Sequence, residues 1–520
     1  MSDTPALVFI GFMGAGKSAA ARAVAEALGE QWADSDEEFE RVHSSIHSAF
    51  TQREGEAAFR AAEEQVVLGL LETGPRVLAL GGGAVETPRV RDGLSEHVVV
   101  WCRVGLEEAR RRVEHDPAEQ RPLAADPESF RERFERRAPI YERLADAVLP
   151  EGNAGLAGRA APFLAALRDL PGVRLAWARS ESGEYPAFVG PGLLDSSPLG
   201  RAARHGAIGF DGRAFRVTDT TVGALYGSRL DPVAGAIEVP PGEAAKTLAE
   251  AERVLRELAE LGMTRSDHLL ALGGGTVGDL AGFCAATYQR GVDLVNLPTT
   301  LVAQVDAAYG GKTGVDLPEA KNYVGAYHLP RAVLADTDTL QTLAVEELAA
   351  GFAEVLKTAL IAGGSLWERV AALEPGQPAS PDVIFACART KLDVVAADER
   401  DAGARAVLNL GHTVGHAIES ATRYARYRHG EAVGLGLLAA LRLSGADELR
   451  AQVGARLQAW GLPSSLDRKV DVDAVLTAVE RDKKRTSEGV GFVLLERAGE
   501  PVTGQLVDPV SVRAAVEELQ

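Results

Sequence analysis

Residues 6–29 read ALVFIGFMGAGKSAAARAVAEALG: an apolar run, a glycine-rich turn, then an alanine-rich helical stretch. Gly11 to Ser18 fits G-x-x-x-x-G-K-[ST], and its flanks, a strand before and a helix after, are those the pattern requires. Gly14, Ala15 and Gly16 let backbone N–H groups turn inward around phosphates. Lys17 reaches the outer phosphate oxygens, and the Ser18 hydroxyl, followed by Ala19, is placed for Mg²⁺. The stretch predicts ATP bound with Mg²⁺. Working outward, apolar runs recur at VLAL (77–80) and HVVVWC (97–102) with amphipathic patterns between them, the alternation of a parallel α/β sheet. Residues 116–128 are proline-broken and charged, as suits a mobile loop, and Pro171-Gly172 reads as a linker.

From Val173 a second α/β pattern begins, with AFVG, AIGF, FRVTD, AIEVP, HLLALGGG and DLVNLP as strands; after about Pro330 helical patterns dominate. The expectation is three domains: 1–170 α/β, 171–330 α/β and 331–520 all-α. A 46% apolar and 25% charged composition is ordinary for a globular chain. The net charge of −19 excludes a sequence-independent grip on nucleic acid. Cys102, Cys284 and Cys387 are too scattered for a disulfide framework or a CxxC metal pair. No stretch approaches the roughly 18–20 apolar residues of a membrane span, and none reads as a signal segment, so a cytoplasmic enzyme is expected. Only 9 of 55 basic residues are lysines, all but Lys17 from position 246 onward. In so arginine-biased a chain, lysine marks places where a compact ammonium is wanted.

Beyond the phosphate loop, Asp34 and Asp36 in DSD, Arg60 and Glu63 in FTQREGEAAFRAAE, glycines 81–83, Arg121 in RPL and Arg137 in RRAPIY follow in order. Over residues 1–170 this set resembles shikimate kinase. The resemblance implies a nucleoside-monophosphate-kinase-like sheet and transfer of phosphate from ATP to the 3-hydroxyl of shikimate. It implies that Asp36 orients that hydroxyl and takes its proton, and that Asp34 supports Mg²⁺ indirectly. Arg60 and Arg137 would clamp the substrate carboxylate, Gly82 would lie against the ring and Arg121 would close as a lid. Bidentate pairing is why arginine suits a carboxylate. Within the run of arginines at 110–112, Arg112 is the candidate for an adenine contact.

In the second half, GGGTVGDLAGFCAATYQRG, LPTTLVAQVDAAYGGKTGVD, AKNYVGAYHLPRAVLADTDTL, AGFAEVLK, LNLGHTVGHAIES, HGEAV and DKK occur in that order. Gly273–Gly275 end a strand and open a helix, so a pyrophosphate can meet backbone N–H groups. His412 and His416 stand four apart, on one helical face. With Glu354 and His429 they are candidates for a zinc held by three protein ligands and one open position, and spacing alone favours the His412/His416 pair.

These motifs resemble 3-dehydroquinate synthase across about residues 172–520. The resemblance implies an α/β dinucleotide domain followed by a helical one. It implies NAD⁺ bound by Asp219, Glu243, Lys246, Gly275, Thr276, Val277, Gly278, Asp279, Thr299, Thr300, Lys312 and Lys321. It implies zinc, or cobalt, on Glu354, His412 and His429, with His416 facing substrate. Substrate would lie among Lys312, Asn322, Lys357, Lys391, Arg405 and Asn409, with Lys483 or Lys484 reaching in. Arg290 would come from a partner subunit, implying a homodimer, and Asp306 and His416 would handle protons. Where the family commonly shows Asp-x-Asn, this chain has Asp219-Thr220-Thr221. The implied reaction turns 3-deoxy-D-arabino-heptulosonate 7-phosphate into 3-dehydroquinate and phosphate. NAD⁺ is used and returned, and the metal acts as Lewis acid. A sister sugar-phosphate cyclase is the rival reading; Arg405 and Asn409 argue against it, because a guanidinium beside substrate suits a carboxylate. A silent, merely binding kinase half is the other rival, against which the retained Lys17, Ser18, Asp36 and arginines speak.

Overall fold

The structure is a computed structural model that describes residues 4–43, 45–46, 55–115, 126–152, 154–196, 212–318, 320–374, 379–480, 485–486 and 489–520. It forms two compact units. One comprises Met1–Trp177, Pro186–Phe188 and Ser196–Gly209, the other Ala178–Tyr185, Val189–Asp195 and Phe210–Gln520.

In the first unit β1 (Leu7–Ile10) is central and wholly buried, which is why it reads as an unbroken apolar run. It pairs in parallel with β3 (Val77–Ala79) and β4 (Val98–Cys102); β2 (Trp32–Asp34) extends the sheet beyond β3, and β5 (Ala147–Leu149) beyond β4. Residues Leu175 and Ala176 of β6 (Arg174–Arg179) pair with β5. The helix Lys17–Leu28 follows the phosphate loop and buries Ala20, Ala21, Val24 and Ala25. It ends at Gly29, whose left-handed backbone returns its N–H to the carbonyls of Ala25 and Glu26.

In the second unit, after β7 (Glu184–Gly190), β8 (Ala214–Asp219) and β11 (Asp293–Pro298) flank β10 (His268–Gly273) in parallel. β9 (Gly235–Val239) lies outside β8, and β14 (Ala332–Asp336) outside β11. β12 (Lys312–Leu317) and β13 (Ala320–Tyr327) form an antiparallel hairpin. The expected strand AIGF lies outside the described residues. The all-α expectation for 331–520 is corrected by β14 and by the antiparallel pair Gly489–Leu495 and Pro501–Leu506. PVTGQL carries both Pro and Gly and buries only one face partially, so its strand signal is weak.

Helices Val345–Ala362, His412–Ala421 and His429–Leu443 cross with almost no spacing. A Cβ on Gly430 would stand 1.9 Å from Ala350 O, and one on Gly436 1.9 Å from Gly411 O. Glycine at these two crossings brings the helix carrying Glu354 and the helices carrying the histidines to one point.

Candidate active sites

In the first unit, Gly14 and Gly16 take left-handed φ values of 76° and 79°, which lets the phosphate loop turn back over the helix start. Helix Lys17–Leu28 has no side-chain cap, and Lys17 Nζ donates to Phe12 O at 3.2 Å. Asp34 caps the helix Ser35–Val42, its Oδ1 accepting from Asp36 N at 2.8 Å, and so fixes Asp36 in the first turn.

Three glycines then join the site. A Cβ on Gly81 would lie 2.4 Å from Asp36 Oδ1, one on Gly82 3.3 Å from Gly11 O, and one on Gly83 2.2 Å from Arg60 Nη1. One bare turn therefore touches the expected base, the phosphate loop and a clamp arginine. Ser35 Oγ accepts from Gly81 N (2.8 Å), and Tyr141 Oη donates to Gly82 O (2.5 Å), pinning that turn. Arg60 Nη1 sits 2.6 Å from Glu63 Oε2. Burial pushes the Glu63 carboxyl up, against the pull of Arg60 and with help from Asp36. The buried Arg137 donates from Nε to Glu86 Oε2 at 2.8 Å. Arg112 donates to Gly14 O at 3.2 Å and pairs with Glu108 and Glu151, behind the phosphate loop. Arg121 lies outside the described residues.

The second unit holds a cavity of ≈ 1220 Å³. One wall is the start of helix Gly275–Thr287, whose N-cap Gly274 supplies no side chain, so its first N–H groups face the space. Thr276, Val277, Asp279 and Thr300 stand in this wall. Lys246 pairs with Asp279 at 2.6 Å and donates to Asn322 Oδ1. Asn322 is held left-handed at φ 54° while its N–H donates to Asp316. Asp219 caps the helix Thr220–Tyr226, accepting from Thr221 N and Val222 N, both at 2.9 Å, and both Asp219 and Thr221 line the cavity. Lys321 Nζ lies 3.4 Å from Glu243, 3.6 Å from Glu419 and over the Tyr424 ring.

The same cavity is lined by His412, His416 and His429, whose ligand nitrogens all lie within 4.8 Å of one another. His412 Nδ1 is 3.2 Å from Leu410 O, and His429 Nδ1 is 3.2 Å from Glu419 Oε2. Both rings thereby turn Nε2 toward Glu354 Oε1, at 3.6 and 3.2 Å. Glu354 is fully buried; burial raises its pKa, but Lys357 and the two histidines more than reverse this, leaving it well below the usual range. Lys357 Nζ bridges Glu354 (2.5 Å) and Asp306 (2.7 Å), and Lys391 donates to Asp306 O at 2.7 Å. Against the upward push of burial, these two ammoniums hold the Asp306 carboxyl at about 2. Burial keeps Lys391 below the ordinary lysine range.

Lys357 and Lys391 thus stand behind Asp306 rather than on the cavity surface. Lys312 pairs with Asp401 at 2.6 Å, and Arg405 donates to the carbonyls of Glu399 and Gly310. These two, with Asn409, Gly278, Thr299 and Arg290, are not among the cavity's described lining residues. Lys483 and Lys484 lie outside the described residues. Glu419 is a residue the motif reading missed, although it stands three and seven positions after His416 and His412, on their helix face.

A phosphate-loop α/β unit and an α/β-plus-helical unit with a histidine–carboxylate centre together define a two-headed enzyme. Family models match it in three stretches: shikimate kinase over residues 13–166, 3-dehydroquinate synthase N-terminal over 236–350 and 3-dehydroquinate synthase C-terminal over 351–485. The chain belongs to the 3-dehydroquinate synthase family and carries a shikimate kinase domain ahead of it, making it a bifunctional enzyme of the shikimate pathway. It is 40% identical over 358 residues to the 3-dehydroquinate synthase of Caulobacter vibrioides, covering 64% of this chain and 95% of that one. With the Halorhodospira halophila synthase the figures are 42% over 360 residues, 66% and 99%. Among solved structures, 2-epi-5-epi-valiolone synthase from Streptomyces hygroscopicus, with NAD⁺ and Zn²⁺ bound, matches at TM-score 0.58 and 26% identity, covering 66% of this chain and 98% of that one. The lower identity to this sister cyclase than to the synthases disfavours the rival reading. Among the described residues, no helix is long and apolar enough to cross a membrane.

Proposed function

We propose that the second unit binds NAD⁺ and zinc or cobalt in its cavity and there converts 3-deoxy-D-arabino-heptulosonate 7-phosphate into 3-dehydroquinate and phosphate. The first unit phosphorylates shikimate with MgATP. The carrying observation is that the uncapped helix start and the histidine cluster face one cavity. The donors fit the metal: imidazole nitrogens oriented by Leu410 O and Glu419, beside a buried carboxylate kept ionised. The bare Gly274–Gly275 turn fits a pyrophosphate. When bound, the dinucleotide takes and returns a hydride and the metal polarises a substrate oxygen.

The chain's own residues supply the rest. Lys357 and Lys391 keep Asp306 anionic, so Asp306 Oδ can accept a hydrogen bond from a substrate hydroxyl at neutral pH. His416, on the cavity wall beside the other histidines, can hold or pass a proton at its ring nitrogen. In the kinase unit Asp36 accepts the proton of the attacking hydroxyl, and Lys17 with the loop N–H groups steadies the transferring phosphoryl group. Arg60 and Arg137 hold the substrate's carboxylate, and Arg121 closes over the nucleotide. Arg290 supplied by a partner subunit, in a homodimer formed through the synthase unit, and a cytoplasmic location complete the proposal.

The test is phosphate release from the 7-phosphate substrate with trace NAD⁺, before and after chelation and zinc add-back, alongside ADP formation from shikimate and MgATP. Release that stops with chelator, returns with zinc and leaves no net NADH is the expected result. Net NADH accumulation would instead mark a dehydrogenase.

A further inference from the structure

Arg137, 2% exposed, is met by a carboxylate of the chain itself. Glu86 ends the turn Ala84–Glu86 immediately after the glycines, and Arg91 Nη1 fixes that turn by donating to the carbonyls of Val85 (2.9 Å) and Glu86 (2.8 Å). From this anchored position Glu86 Oε2 accepts from Arg137 Nε at 2.8 Å and lies 2.7 Å from Arg137 Nη2. Its other oxygen, Oε1, accepts from Arg136 Nε at 2.8 Å, and Arg60 Nη2 stands 3.9 Å from Oε2. Arg60 itself is engaged by Glu63 and Glu56. The site expected to clamp a ligand carboxylate therefore already contains one, 22% exposed and charge-paired with the deepest arginine.

We infer that Glu86 is an internal competitor for the acid-binding arginines, and that it sets the affinity of the kinase unit for its substrate's carboxylate. The inference rests on the reading of Arg60 and Arg137 as a carboxylate clamp. Two anions cannot share the Nε–Nη2 edge of Arg137 without repulsion, so an incoming carboxylate must displace Glu86 toward its exposed side or accept a poorer seat. If Glu86 merely positioned Arg137, removing its charge would weaken binding; if it competes, removal strengthens binding.

Glu86→Gln in the full-length protein, with shikimate affinity measured by calorimetry, separates these. Shikimate is expected to bind about five- to tenfold more tightly, while MgATP affinity is unchanged and confirms an intact fold. Shikimate methyl ester, which lacks the anion, is expected to bind wild type and variant equally. Glu86→Asp, which keeps the charge, should stay near wild type. Unchanged or weaker shikimate binding to Glu86→Gln, or an equal gain for the ester, overturns the inference. Loss of shikimate binding in wild type and variant alike, with MgATP binding intact, overturns the clamp reading and the inference with it.

Discussion

Single side chains in this molecule work through the charge next to them. Glu419 contacts no expected ligand atom, yet it fixes the tautomer and orientation of His429 by taking up Nδ1. Glu419→Gln keeps a polar partner but removes the charge. It is expected to lower zinc affinity by about 10- to 100-fold in competition with a chromogenic chelator, with thermal stability of the metal-free protein little changed. An unchanged affinity would mean that His429 is oriented by its helix alone. The cysteines show the opposite case, groups silenced by their surroundings. Cys102, Cys284 and Cys387 are buried, and burial pushes each thiol up to about 12. The thiolate is the reactive form, so reaction rises with pH, and at pH 8 only about one part in ten thousand is ionised. No thiol is expected to react quickly with a disulfide reagent in the native protein, and all three should react in denaturant.

At the scale of elements, what places the metal candidates is the closeness of three helices. Gly436→Ala drives a methyl group into Gly411 O, at the start of the helix that carries His412 and His416. It is expected to cost about 1–3 kcal/mol in denaturant unfolding and to weaken metal binding as the histidines move apart. Gly454 is the matched control: its added Cβ would meet only Leu438 Cδ2, at 3.7 Å, in the middle of the helix Asp447–Ala459. Gly454→Ala is expected to stabilise by about 0.4–1 kcal/mol and leave the metal site alone. The same contrast shows what a sequence makes legible. Gly11–Ser18 and Gly273–Asp279 were readable because strand, turn and helix start are contiguous, and all their chemistry lies within a few residues. His412, His416 and Glu419 share one helical face, so all three follow from spacing once the helix is recognised. Glu86 could not be found this way, since its partners Arg136 and Arg137 lie fifty positions on and meet it only through packing. Nor could the positions of Lys312 and Arg405, which are decided by Asp401 and by backbone carbonyls of remote segments. The pair Gly489–Leu495 and Pro501–Leu506 escaped for a local reason, a strand with Pro, Gly and one wet face.

At the scale of the whole molecule, two compact units carry one phosphate-loop site and one large cavity, and the proposed function assigns each its own ligands. A ligand that binds only the folded form of one unit raises the stability of that unit by RT ln(1 + [L]/Kd), about 2.7 kcal/mol at a hundredfold excess over Kd. For a unit the size of the first, this corresponds to a rise of roughly 5–10 °C in its midpoint. Scanning calorimetry of the full chain is therefore expected to show two transitions that respond to different additions. MgADP with shikimate should raise one and leave the other in place. NAD⁺ with zinc should do the reverse, and adding both sets should give the sum of the separate shifts. One transition moved equally by either set would show that the units unfold as a single cooperative body, and mutations in one would then be felt in the activity of the other. Separate transitions would mean that the chain joins two enzymes whose stabilities are set independently, each by its own core and its own ligands.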